Sequence, residues 1–230
     1  MTDTKLDVQV AIFDEPTSKT IASASVKIDD LTVISRLRVI AGEDGLFVTM
    51  PQRRESDDVY RDVAFPLTGE LRKEITDAVL AEHARVAKLA PEQRRYEIPL
   101  KGPENEKLPE DLKLDVKVYP RDNAKDRIKA TASVAIDNKV MIRSIRINQG
   151  KKGLFVAMPQ YQDSTNRFRD IAFPVNSELR KLINTAIIEK YERGEKSLAE
   201  GLRRGAEKAA KQSAAPSQSV DKGRKQEALG

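Results

Sequence analysis

The chain has 230 residues, 33% of them charged and 5% aromatic, with no Cys, one His and a net charge of +5. The absence of Cys removes disulfides, thiol catalysis and zinc-ribbon chemistry together. The polar start at residues 1–7 lacks the apolar core of a signal peptide, and no apolar run approaches the roughly 18 residues of a membrane span, which predicts a soluble, cytoplasmic protein with no membrane partner.

In chain order, Leu6, Val8, Val10 and Ile12 alternate with polar or small residues, the period of a strand with one buried face. A polar turn follows, then a second strand with Ala22, Ala24, Val26 and Ile28 on one side, small enough for a helix to pack closely. Asp29-Asp30 marks a turn. The third strand covers about residues 33–40, with Leu37 and Val39 on one side and Arg36 and Arg38 on the other. Gly42-Glu-Asp-Gly45 turns the chain into a fourth strand that ends at Met50-Pro51, because Pro cannot extend a ladder. A polar loop of residues 52–60 is expected next, then a short fifth strand in Arg61-Asp-Val-Ala-Phe65. Thr68 is a good N-cap for a helix whose apolar stripe is Leu71, Ile75, Ala78 and Val79, running as far as Leu89 before Pro91.

All of this occurs twice. Residues 5–85 recur at 113–193 with a constant offset of 108 and no gap, and close to half of the paired positions are identical. That is a duplicated domain rather than a repeated motif. The predicted organisation is a first repeat (5–86), a Pro-containing extended linker (87–112), a second repeat (113–193) and a basic, partly disordered tail (194–230). The fold class is α+β: each repeat is a small antiparallel β-sheet with one C-terminal amphipathic helix on it. The copies differ in charge. The first has 11 Lys/Arg against 15 Asp/Glu, net −4, whereas the second has 17 against 9, net +8. If one half meets a polyanion, it is the second.

Gly45-Leu-Phe-Val-Thr-Met-Pro-Gln52 with Arg61-Asp-Val-Ala-Phe-Pro66, and their copies Gly153-Leu-Phe-Val-Ala-Met-Pro-Gln160 with Arg169-Asp-Ile-Ala-Phe-Pro174, resemble the signature of the stage V sporulation protein G (SpoVG, septation protein) family. The likeness covers nearly all of each repeat. It departs where the family usually has His, here Phe65 and Phe173, and after Met-Pro, where a basic pair is typical. The first repeat keeps Arg53-Arg54; the second has Tyr161-Gln162. The resemblance implies small dimeric proteins, normally with one domain per chain, that bind DNA and in some cases RNA and influence regulation of processes such as sporulation and cell division. Here the two repeats are expected to pair as an intramolecular pseudo-dimer or to homodimerise.

Candidate contacts follow from charge and position. Arg72-Lys73 and Arg180-Lys181 stand in the first turn of their helices, where cations oppose the helix macrodipole. Either they form a phosphate cradle with the free backbone N–H groups, or Glu70 and Glu178 pair with them on a solvated face; the resemblance favours the cradle. At the hairpin tip, Glu43-Asp44 of the first repeat becomes Lys151-Lys152 in the second, which marks the tip as solvent-facing: a phosphate contact or neutral drift. Arg167, Arg53 and Arg54 complete the candidate DNA- or RNA-binding set. Arg61-Asp62 and Arg169-Asp170 read as loop locks, Phe47, Phe65, Phe155 and Phe173 as core, His83 as surface. Tyr161 stands where the family's basic pair should be. The tail adds nucleic-acid affinity or merely solubilises. No phosphate-binding Gly loop, catalytic triad or metal-ligand spacing is visible, so no enzyme and no cofactor is expected. The predicted function is a nucleic-acid-binding regulator. The alternative is a protein-interaction adaptor linked to septation or gene regulation, in which the acidic first repeat binds a basic partner.

Overall fold

Alternating apolar residues build two sheets. The computed structural model describes residues 4–16, 18–55, 58–94, 107–121 and 127–213. The first repeat contributes β1 (Leu6–Ile12), β2 (Thr20–Ile28), β3 (Thr32–Gly42), β4 (Gly45–Thr49), β5 (Gln52–Arg54), β6 (Tyr60–Asp62), β7 (Ala64–Pro66) and α1 (Gly69–Val86). The second contributes β8 (Leu114–Pro120), β9 (Ile128–Ile136), β10 (Val140–Gly150), β11 (Gly153–Ala157), β12 (Gln160–Gln162), β13 (Phe168–Asp170), β14 (Ala172–Pro174) and α2 (Ser177–Ser213). Each repeat is therefore an antiparallel sheet followed by one helix.

The local signals act as their chemistry requires. Thr68 Oγ1 accepts from Leu71 N at 3.2 Å, and Asn176 Oδ1 accepts from Glu178 N at 2.7 Å, each satisfying a donor that the first helical turn leaves open. Leu71, Ile75 and Val79 are buried with Ala22, Ala24 and Val26 of β2, so the small strand residues admit the helix. Asp29, Asp30, Asp137 and Asn138 all have φ near +51°, the positive values a tight hairpin turn needs. Gly45 and Gly153, at φ +124° and +121°, hold a conformation that side chains rarely adopt.

What no periodicity shows is the exchange of β7 and β14. β14 pairs antiparallel with β3 of the first repeat (Ala172↔Ile34), and β7 pairs with β10 of the second (Ala64↔Ile142). Each sheet is thus completed by a three-residue strand from the other repeat. Backbone bonds from Ser35 N to Ile171 O (2.8 Å) and Val175 N to Leu31 O (3.0 Å) are mirrored by Arg143 N to Val63 O (2.7 Å) and Leu67 N to Lys139 O (2.8 Å). Ala64 and Ala172 are fully buried, and one hydrophobic cluster runs through both repeats. Asp29 and Lys139 close a 2.6 Å ion pair between the repeats, and the Asp29 carboxylate raises the pKa of the Lys139 ammonium.

The exchange corrects two expectations. The polar loop at 52–60 is a hairpin, β5 against β6 (Arg53↔Arg61), with β12 against β13 as its copy. The expected fifth strand is divided at Val63 and Ile171, whose N–H groups bond Pro51 O and Pro159 O as the chain leaves its own hairpin for the other repeat's sheet. Two residues of β3, Ser35 and Arg36, oppose the single Ser25 of β2, a bulge that puts Arg36 at φ +61°.

Other differences are local. Phe47 and Phe155 are 46% and 44% exposed rather than core. Each ring lies over the glycine of its own hairpin, Gly42 or Gly150, where an added Cβ would come within 3.0 or 3.2 Å of it. Phe65 and Phe173 do pack on the core. His83 is partly buried, and desolvation lowers its pKa. α1 stops at Val86, where Arg94 donates to Ala87 O and Leu89 O beyond the helix end. α2 passes both Gly201 and Gly205 before Ser213, and the linker core at 95–106 and the tail beyond 213 lie outside the described residues. The chain divides into two units, Met1–Tyr191, which holds both repeats, and Glu192–Gly230, whose described part is helical.

The hairpin β12–β13 is closed by Asp163. It accepts from Thr165 Oγ1 (2.7 Å), Thr165 N (2.9 Å), Arg167 N (3.0 Å) and Arg169 Nε (3.0 Å). These bonds, the Thr165 hydroxyl first, hold its carboxyl well below the usual carboxylate range. A depressed folded pKa contributes stability above the unfolded pKa of about 4, and that contribution is lost as pH falls through the folded value. In an NMR titration Asp163 should therefore stay ionised through pH 4 and the hairpin amides should shift only in stronger acid; a midpoint near 4 would refute the lock. A protease site placed in the sequence between Arg94 and Lys107, once cut, should leave halves that co-elute in native size-exclusion chromatography and part only in denaturant. Halves that part without denaturant would show that the exchanged strands do not fasten the repeats.

Candidate functional site

The bulge at Ser35-Arg36 brings the two repeats together side chain to side chain. It sends the Arg36 guanidinium over the Tyr161 ring, 4.1 Å from the centroid, a cation–π contact across the repeat boundary worth about 0.5–1 kcal/mol where exposed. Nearby, Arg53 donates to Gln160 O at 3.1 Å, also across the boundary. These residues wall a groove of about 210 Å³ that Arg38, Tyr60, Gln52 and Gln160 also line. None of its lining residues is acidic.

Behind the groove, each repeat repeats one relay. Gln52 Nε2 donates to Asp62 Oδ1 (3.0 Å), and Asp62 Oδ2 accepts from Arg72 (3.1 Å). In the second repeat, Gln160 donates to Asp170 (2.9 Å), and Asp170 accepts from Arg180 (3.2 Å). The helix-start arginines therefore pair with the Asp of the Arg-Asp motif, not with Glu70 or Glu178. The neighbouring arginines hold the hairpins: Arg61 bonds Glu55 at 2.8 Å and Arg169 bonds Asp163 at 3.0 Å. Asp62 and Asp170 thus tie each helix start to a groove-lining glutamine.

The candidate cations differ in what neutralises them. Lys73 pairs with Asp77 at 2.6 Å, and Arg54 with Asp58 at 2.5 Å. The second repeat has Thr185 in place of Asp77 and Asn166 in place of Asp58. Among the described residues Lys181 has no carboxylate partner, and it is exposed. Lys151 and Lys152 stand at the exposed tip between β10 and β11, and Arg167 in the exposed turn of β12–β13. Neither the tip lysines nor the Arg167 side chain joins the groove network among the described residues. Of the predicted residues, the groove gathers Arg53, with Arg72 and Arg180 attached through the relays.

Sequence reasoning missed Arg36, Arg38, Tyr60 and the two glutamines as a group. The alternation around Leu37 did put Arg36 and Arg38 on the face away from the core. It carried no sign that the other repeat meets that face.

Among the described residues, no three His, Cys, Asp or Glu side chains are placed to hold a metal ion, and no helix is long and apolar enough to cross a membrane. The groove offers cations, aromatic faces and amides, which recognise planar or anionic groups.

The SpoVG family model matches residues 4–85 and 113–193. A protein of Bdellovibrio bacteriovorus named for septation, SpoVG, is 44% identical over 88 residues, 38% of this chain and 80% of that protein. A like-named protein of Phytoplasma australiense is 42% identical over 78 residues, 34% of this chain and 80% of its own length. A third, from Caldicellulosiruptor saccharolyticus, is 46% identical over 66 residues, 29% and 75% respectively. Each match spans about the length of one repeat. The chain belongs to the SpoVG family, and it carries the family's domain twice.

Proposed function

We propose that this chain is a nucleic-acid-binding regulatory protein, tied to septation as its relatives' names suggest, in which two SpoVG domains act as an intramolecular pseudo-dimer. The observation that carries this reading is the unequal neutralisation of equivalent cations. Lys73 of the first repeat pairs with Asp77, whereas the second repeat has Thr185 in place of that acid beside the equivalent Lys181 and has also gained Lys151 and Lys152. Core and strand exchange are kept in both copies, so the charge change alters the surface alone.

Phosphate binding needs cations that are not already engaged, because each must release condensed counterions on contact. Lys181, Lys151, Lys152 and Arg167 of the second repeat meet that condition best. Arg180 adds its remaining donors while Asp170 holds it in place. In the first repeat Arg54 and Lys73 play a lesser part, since carboxylates neutralise them. Arg72 is held by Asp62 as Arg180 is by Asp170, and Arg53 keeps donors beyond its bond to Gln160 O.

Fluorescence anisotropy of labelled DNA and RNA over a salt series tests the reading. Affinity should fall log-linearly with salt. Lys151→Ala/Lys152→Ala and Arg180→Ala/Lys181→Ala should each flatten the slope by about one to two, with Arg72→Ala/Lys73→Ala changing it less. Absence of binding to either nucleic acid at low salt would refute the reading and leave the adaptor role, to be pursued by capture on the acidic first repeat. The neutralisation argument also makes a gain-of-function prediction: Asp77→Thr, which copies the second repeat, should free Lys73 and tighten binding at low salt. Unchanged affinity would show that carboxylate pairing does not limit the first repeat.

A further inference from the structure

The groove between the repeats has a composition that phosphate contacts alone do not require. It combines three guanidinium groups, Arg36, Arg38 and Arg53, with two tyrosines, Tyr60 and Tyr161, in a chain with only 5% aromatic residues. Tyr60 is 62% exposed, so its ring is available to a ligand. The Arg36 guanidinium lies over the Tyr161 ring, 4.1 Å from its centroid, so the two side chains form one platform. A non-glycine residue at φ +61° presents that guanidinium, a left-handed backbone state that side chains rarely adopt.

The two glutamines add polarity of known orientation. A carboxylate only accepts, so Gln52 and Gln160 must turn their NH₂ groups to Asp62 and Asp170. Their amide oxygens are not used by these bonds. The volume, about 210 Å³, is below the roughly 300–1,000 Å³ of pockets that enclose a drug-sized ligand. It suits one unit of a longer chain.

We infer that this groove binds a single-stranded segment of nucleic acid. An unpaired base stacks against Tyr60 and the Arg36–Tyr161 platform, and its flanking phosphates meet Arg38 and Arg53. The inference rests on the nucleic-acid reading above and adds the strandedness. In a duplex the base faces are covered by their neighbours, so an aromatic platform has nothing to stack on; an unpaired base offers its face whatever its identity. The site is composite, because Arg36, Arg38, Arg53 and Tyr60 come from the first repeat and Tyr161 and Gln160 from the second. It is also one-sided: the positions equivalent to Arg36 and Tyr161 are Ser144 and Arg53, so the stacked pair has no counterpart on the other side.

The test uses the full chain with labelled 12-nucleotide single strands of RNA and DNA and a duplex of the same length, at low salt. Tyr60→Ala, a change at an exposed side chain, should weaken single-strand binding by roughly five- to a hundredfold, the loss of one stacked base, while duplex binding stays within twofold. Tyr60→Phe should restore it, since the ring and not the hydroxyl stacks. Tyr161→Ala should act in the same direction. If the wild-type chain binds single strands and both alanine variants bind them equally well, the groove inference is wrong and the nucleic-acid reading stands. If the wild-type chain binds neither strand nor duplex, both fail together. A mononucleotide that binds as tightly as the 12-nucleotide strand would overturn the strand assignment in favour of a free nucleotide.

Discussion

Strand β3 has eleven residues, and one of its edges needs two neighbours. β4 covers the far half of that edge. The near half would present unpaired N–H and C=O groups over a buried core if β14 did not lie there. Buried backbone groups without partners cost enough that nearly all are paired in native structures. Each repeat's own last strand lies in the other's sheet, so β14 completes β3 and β7 completes β10. The bulge, the division of the Arg-Asp motif and the continuous core all follow from that reciprocal pairing. Small residues make it possible: Ala64 and Ala172 let the short strands sit flush against Ile142 and Ile34.

This dependence on backbone bonds and buried small residues explains why the repeats could diverge so far in charge. Sheet pairing and the apolar stripe of each helix do not involve the hairpin tips or the outer helix face. Glu43-Asp44 and Lys151-Lys152 occupy the same tip without disturbing its glycines. The side chains kept alike in both repeats are those that bind parts together: Gln52 and Gln160, Asp62 and Asp170, Arg72 and Arg180. Arginine suits that relay because its fixed fork can hold a carboxylate and still direct donors outward.

Having both copies in one chain also permits an asymmetric seam. A pair of identical first repeats would set Arg36 against Arg53, two cations, where Tyr161 now lies. A pair of identical second repeats would set Ser144 there and lose the cation–π contact. Only the mixed pair stacks Arg36 on Tyr161. Tyr161 at the position of the first repeat's Arg53 therefore has a structural role in the seam: it puts a stacked contact where a like-charge one would stand.

Much of each unit was legible in the sequence. The 108-residue offset established the duplication, period-two alternation located the long strands, and Thr68 and Asn176 marked the helix starts. These signals work because side-chain burial and cap chemistry are local, within four residues along the chain. The tertiary structure alone decided that residues 64–66 and 172–174 cross over, that Asp62 and Asp170 rather than Glu70 and Glu178 hold the helix-start arginines, that Phe47 and Phe155 cover glycines at the surface, and that Arg36, Tyr60 and Tyr161 share a groove. The crossed strands are joined by N–H and C=O groups that every residue carries, so pairing across a hundred residues leaves no side-chain signature. The groove exists only where two distant polar faces meet, and alternation can say that a face is polar but not what it meets.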